Sequence, residues 1–271
     1  MATVGDVAAR LVLGLALGLA VCGVMAAPAF AGTVTSGGGK IVFRAPGSAV
    51  NHLRVSRSSS DIRFTDGRAR IIAGHGCTSV TTHTATCPAA GVGELRMGMG
   101  RDNDRVILGA ALALASIDVH GGGGNDRIVS EQPAMHAFGD AGADLLRGSP
   151  FLKGDVLYGG AGDDVLRGSN GPDILIGNHG DDRLSGGVGA DDLIGGRGDD
   201  SLQGKVGNDA LHGSPGDDTL VDVAGDDSLF GGADPDLLDA RDGEPGDFLD
   251  GGPGPDFACR ASFGDAVVRC K

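Results

Sequence analysis

Beyond residue 31 the chain has no segment long and apolar enough to span a membrane. It lacks the HExxH pair of a zinc protease, the GxSxG elbow of a lipase, a phosphate-binding P-loop and a dinucleotide glycine fingerprint, so no familiar catalytic constellation is present. The seven histidines are scattered, with none placed to serve a nucleophile. Basic side chains are scarce, 22 Lys and Arg against 36 Asp and Glu, for a net charge of −14. Nucleic-acid binding needs a dominant basic surface, and this balance argues against such a partner. The expectation is a protein that is not an enzyme.

What is present is a period of nine. From Gly159 to Asp239 the chain runs through nine consecutive nonapeptides, each with Asp at its sixth position and Leu at its eighth. Side chains two apart on a strand share a face, so an Asp that ends a turn and the Leu of the strand after it both point inward. One lines a cation site and the other fills a core. Position one is Gly in every unit except at Asp222, and position four in every unit except at Asp234. Both positions are expected to need positive φ, which Gly adopts freely and Asp tolerates better than most residues. Bare backbone there also lets carbonyl oxygens approach a hard cation that takes six to eight oxygen ligands.

The pattern extends outward. Gly121–Val129 and Gly139–Arg147 lie upstream, separated by nine residues that keep the spacing and lose Gly and Asp, and Gly251–Cys259 lies downstream. Two eleven-residue units, Gly148–Tyr158 and Ala240–Asp250, still end Asp-x-Leu and are expected to be bulged turns. Residues 121–259 thus form an array of fifteen units. Within it 28 acidic residues face 8 basic ones, so coiling the array stacks like charges.

Units such as GGAGDDVLR at Gly159–Arg167, GGVGADDLI at Gly186–Ile194 and GGRGDDSLQ at Gly195–Gln203 resemble the glycine-aspartate nonapeptide of RTX, or hemolysin-type, calcium-binding proteins. The resemblance implies an all-β fold, a right-handed parallel β-roll or β-helix solenoid with two nonapeptides per coil. It implies several Ca2+ ions held between coils by turn carbonyls and by Asp126, Asp144, Asp155, Asp164, Asp173, Asp182, Asp191, Asp200, Asp209, Asp218, Asp227, Asp236, Asp247 and Asp256. Asp164 would share its ion with Asp182 one coil on. Fifteen units imply seven or eight coils and a rod roughly 35 Å long at about 4.8 Å per strand. An array this acidic is expected to fold only when calcium binds, since metal affinity for a site absent from the unfolded chain becomes folding free energy.

Residues 1–31 resemble a secretory signal peptide: residues 11–31 are uncharged and mostly apolar, and Ala29-Phe30-Ala31 fits the small-x-small cleavage rule. An extracellular location follows as an expectation. RTX toxins and proteases instead carry an uncleaved C-terminal export signal and a catalytic or pore-forming segment. The present chain is more similar to secreted actinobacterial proteins built of little besides the repeats.

Past the leader stand four cysteines in two local pairs, Cys77 with Cys87 and Cys259 with Cys270, which read as disulfides in an exported chain. A zinc site from His75, Cys77, His83 and Cys87 is the alternative. Residues 32–120 show short apolar alternations, such as Ile41 with Phe43 and Leu53 with Val55, and are expected to form an irregular β cap and degenerate early coils. Residues 260–271 would close the other end with the second disulfide. The function expected is a calcium-binding structural or binding module outside the cell. Cell-surface adhesion and an accessory role in polysaccharide chemistry are the alternatives, with extracellular polysaccharide or the cell envelope as partner.

Overall fold

The computed structural model describes residues 30–110 and 112–270. The expected leader therefore lies almost wholly outside the described residues. Among the described residues there is no helix: all regular structure is strand, in two thirteen-stranded sheets that enclose one continuous core. Apart from residues 58–93, the chain from Lys40 onward alternates between the sheets. Lys40–Arg44 lies in the first and His52–Arg57 in the second, then Glu94–Gly98 and Arg105–Leu108, and so on to Ala266–Val268. Parallel pairing of every such strand with its counterpart one coil on makes a β-solenoid of about ten coils.

The nonapeptide explains the register. Leu157 aligns with Leu175, Leu193, Leu211, Leu229 and Leu249 in the first sheet. Leu166 aligns with Leu184, Leu202, Leu220 and Leu238 in the second. A one-residue slip would turn each Leu out to solvent, and all of these side chains are at most 2% exposed. On the outer face of the first sheet the same register stacks rings: His120 on Phe138 at 4.4 Å and Phe138 on Tyr158 at 4.9 Å between centroids.

The seven or eight coils expected of the repeat array are joined by two more upstream, in the segment expected to hold degenerate early coils. Lys40–Arg44 pairs in parallel directly with Glu94–Gly98, and His52–Arg57 with Arg105–Leu108, so two coils precede residue 116 with residues 58–93 as an excursion between them. Apart from Gly100 and Asp104 these coils lack the Gly and Asp turns, and they are held by Ile41, Phe43, Leu95 and Met97, all buried. Apolar packing here replaces the turn chemistry that the period of nine reports.

The excursion builds the N-terminal cap. Asp61–Asp66 turns back antiparallel to His52–Arg57, and Thr84–Pro88 and Thr78–Thr81 continue the second sheet. Phe30–Gly37 runs antiparallel to Lys40–Arg44 in the first. Reversing strand direction and covering the end of a parallel stack removes an open template for further pairing. The largest buried side chains gather in this end, with Phe43 stacked on Phe64 at 6.4 Å. Cys77 is disulfide-bonded to Cys87 within the cap, and Cys259 to Cys270 at the far end. The zinc alternative therefore falls, because the thiolates it needs are consumed.

Both eleven-residue units keep their coil and push the extra residues outward: Phe151 and Leu152 are 46% and 81% exposed, while Tyr158 still aligns with Phe138. Among the described residues no helix is long and apolar enough to cross a membrane.

Leu193→Ala is expected to destabilise the calcium-saturated protein by about 2–5 kcal/mol, read from the denaturant midpoint. Val188→Ala, on a side chain 49% exposed, should change it by no more than about 0.5 kcal/mol.

Candidate metal centre

The sixth residue of each repeat lies at the end of a turn, two residues before an inward Leu, and the solenoid gathers these aspartates into two ladders along its edges. Asp126, Asp144, Asp164, Asp182, Asp200, Asp218 and Asp236 stand where the chain enters the second sheet. Asp155, Asp173, Asp191, Asp209, Asp227 and Asp247 stand where it enters the first. In both ladders the backbone N–H of one Asp donates to Oδ1 of the Asp one coil on, at 2.6 Å from Asp126 to Asp144, 2.8 Å from Asp164 to Asp182 and 2.8 Å from Asp173 to Asp191. All thirteen residues are at most 3% exposed. Asp256 is half-buried, and neither of its carboxylate oxygens has a partner.

The second oxygen is the chemically informative one. In eleven of the thirteen, Oδ2 is buried with no hydrogen-bond partner. Asp155 is one exception, because its Oδ2 accepts the Ser149 N–H at 2.7 Å from the adjoining bulge. Asp227 is the other.

Glycine at position one is explained by these oxygens. The space a Cβ on Gly159 would take is filled by Asp164 Oδ2 and the Gly177 carbonyl, and that on Gly177 by Asp182 Oδ2 and the Gly195 carbonyl. The expectation of positive φ at position one is thereby corrected. Left-handed backbone falls at positions two and four: Ser169 (φ 102°), Asn178 (φ 79°) and Lys205 (φ 95°) hold position two, while Gly162 (φ 121°) and Asp234 (φ 81°) hold position four. Position one is bare for room.

The fifth position behaves differently. Asp163, Asp181 and Asp199 are exposed, and each Oδ1 accepts the N–H of the residue one coil on, Asp181, Asp199 and Asp217, at 3.0 Å. Adjacent aspartates thus separate into a buried row with free oxygens and a solvated row that stitches turns together.

Burial raises the inner carboxyls and the donated N–H only partly offsets it. Asp144, Asp182 and Asp191 are pushed up to about 6, Asp126, Asp164, Asp173, Asp200 and Asp236 to about 7, and Asp218 to about 8. Neighbouring carboxylates add to the rise in most of them, as Asp200 and Asp236 do at Asp218. Buried carboxylate and carbonyl oxygens with no basic partner form a donor set suited to a hard divalent cation.

Two ladder members fall outside the aspartates expected from the repeats. Asp104 accepts the Asn51 N–H at 2.6 Å and donates its own to Asp126 Oδ1, and Asp265 Oδ1 accepts the Asp247 N–H at 3.2 Å. The Asp-x-apolar spacing of Asp104-Arg105-Val106 and Asp265-Ala266-Val267 carries their signal without the glycines.

A repeat-built parallel β-solenoid with carboxylate ladders in its turns defines a structural, metal-binding class of protein. Within that class the chain carries the RTX calcium-binding nonapeptide repeat: the family, described in units of four copies, matches residues 118–132, 158–193, 185–220, 212–244 and 221–258. A comparison with curated proteins finds no match.

The pH dependence follows from the raised carboxyls. Their usual value is 3.8 and their folded values are about 6 to 8, so the metal-free fold draws stability from the protonated form. That contribution is complete below about 3.8 and is lost as pH rises through 6 to 8. In excess chelator, circular dichroism should therefore report more β structure at pH 5 than at pH 8. Gly195→Ala should weaken metal uptake by intruding on Asp200 Oδ2, whereas Gly47→Ala, which meets open space, should leave an equilibrium dialysis isotherm unchanged.

Proposed function

We propose that the protein is a secreted module whose array folds around calcium ions held between successive coils, serving a structural or binding role outside the cell. The observation that carries this reading is the double row of buried, partnerless Oδ2 atoms beside glycine carbonyls. An ionised carboxylate so placed is costly until a cation satisfies it. The fourteen repeat aspartates would supply the charge, with Asp155 the weakest ligand because Ser149 already occupies its second oxygen. The apolar leader and the two disulfides support an oxidising, external setting, where calcium is abundant.

Magnesium demands near-octahedral geometry and surrenders its waters reluctantly, so it is a poor substitute. Calcium titrated into the chelated protein at pH 7.5 should raise the far-UV β signal cooperatively, and magnesium should not. A fully formed β spectrum in chelator, unchanged by calcium, would overturn the coupling of folding to metal.

A second reading, adhesion to extracellular polysaccharide or an accessory role beside enzymes that modify it, is favoured by one feature of the second sheet. Its outer face carries Arg54, Arg105, Arg127, Arg147, Arg167 and Arg183, all exposed and without ion-pair partners among the described residues. Arg105 aligns with Arg127 and Arg147 with Arg167. A linear polyuronate laid along this strip would meet one guanidinium per coil, about every 5 Å along the axis, drawn from two columns two residues apart. The calcium-loaded protein should be retarded by polyuronate in affinity electrophoresis, and Arg147→Ser with Arg167→Ser should abolish the retardation while leaving calcium uptake intact.

A further inference from the structure

One coil differs chemically from its neighbours. In the unit Asp222–Phe230 the first residue, glycine in the other eight units of the unbroken run, is an aspartate. Its Oδ1 accepts the N–H of Val223 at 2.5 Å and that of Ala224 at 3.4 Å. Its Oδ2 has no hydrogen-bond partner and lies against the bare face of Gly204, beside the likewise partnerless Oδ2 of Asp209. Asp227, on the same coil as Asp222, completes the group: one oxygen from each of the three carboxylates lies within 4.8 Å of the others. Each residue is 2% exposed, and none has an ion-pair partner among the described residues.

No other three carboxylates come so close among the described residues. The other comparable group, Asp256 with Cys259 and Cys270, has both sulfurs in a disulfide. In a regular coil the corresponding space holds one Asp oxygen and a glycine carbonyl, as at Asp173 and Gly186. At Asp222 a charged oxygen has been added to that set, in a cavity kept open by Gly204.

We propose that Asp209, Asp222 and Asp227 form a distinct three-carboxylate cation site, the first to take up calcium and the one at which a trivalent lanthanide ion displaces it most readily. This rests on the calcium reading above and adds a rank order to it. Affinity in all-oxygen sites rises with the number of charged ligands, and three carboxylates around a divalent ion leave a residual negative charge that a trivalent ion cancels. Filling this site would tie the coils of Gly204–His212 and Asp222–Phe230 together more tightly than their neighbours are tied.

The test is competition against a chromophoric calcium chelator, and then displacement by terbium, with the full chain and two variants. Asp222→Gly restores the repeat, so its folding is not at risk, and Asp222→Asn keeps the shape while removing the charge. In both, the tightest calcium step should weaken about tenfold or more, the later steps should be unchanged, and sub-stoichiometric terbium should no longer displace one calcium selectively. If wild type binds several ions and both variants reproduce its first step, the distinct site is overturned while the general reading stands. If only Asp222→Gly loses the step, the effect belongs to shape and the carboxylate assignment falls. A wild type that takes up no calcium would overturn both readings.

Discussion

Like charges stacked between coils are the constraint on which the rest of this structure depends. Two ionised carboxylates about 5 Å apart repel by about 3 kcal/mol at an effective dielectric near 20, and the solenoid places them in rows. Each repeated residue answers to that arrangement. The N–H of the preceding coil holds Oδ1 and so aims Oδ2; the glycine at position one leaves that oxygen room; the leucine two residues on closes the core beneath it. Remove the carboxylate and the glycine keeps only the next coil's carbonyl as its reason.

The rod is uneven along its length because this constraint begins partway. Its first coils and cap hold the largest apolar side chains, antiparallel strands and a disulfide, with no carboxylate ladder before Asp104. Beyond Gly121 the core narrows to little more than one Leu per strand while the buried acids accumulate. Solenoid stability is a sum over coils and their interfaces. The proximal end can therefore stand on apolar burial, whereas the distal coils rely on what neutralises their aspartates.

A fixed period made the sheets, the Leu columns and the Asp columns legible in sequence, because an alternation of two within a repeat of nine allows only one inward set. The coils at Lys40–Arg57 and Glu94–Leu108 were legible only as degenerate early coils, without bounds or number, for the opposite reason: they pair chiefly by apolar strands, and a 36-residue excursion breaks their spacing. The role of position one was misjudged, since composition reports glycine without saying whether φ or volume demands it; Ser169 and Lys205 at positive φ settle the matter one residue later. Asp222 looked like a tolerated exception in its repeat, and only the stacking of coils brings its carboxylate to Asp209. The arginine strip on the second sheet was scattered along 130 residues until the register aligned it.

The ladder bonds also have a sense. In every inner rung the donor belongs to the earlier coil and the acceptor to the later one, so a finished coil presents a row-end N–H that waits for the next aspartate to arrive. Winding is thus templated in one direction, from the capped end outward, like a thread cut by the turns already made. A chain delivered amino end first into a calcium-rich medium would meet its template before its first acidic repeat emerged, and each captured aspartate would oppose backsliding of the segment behind it.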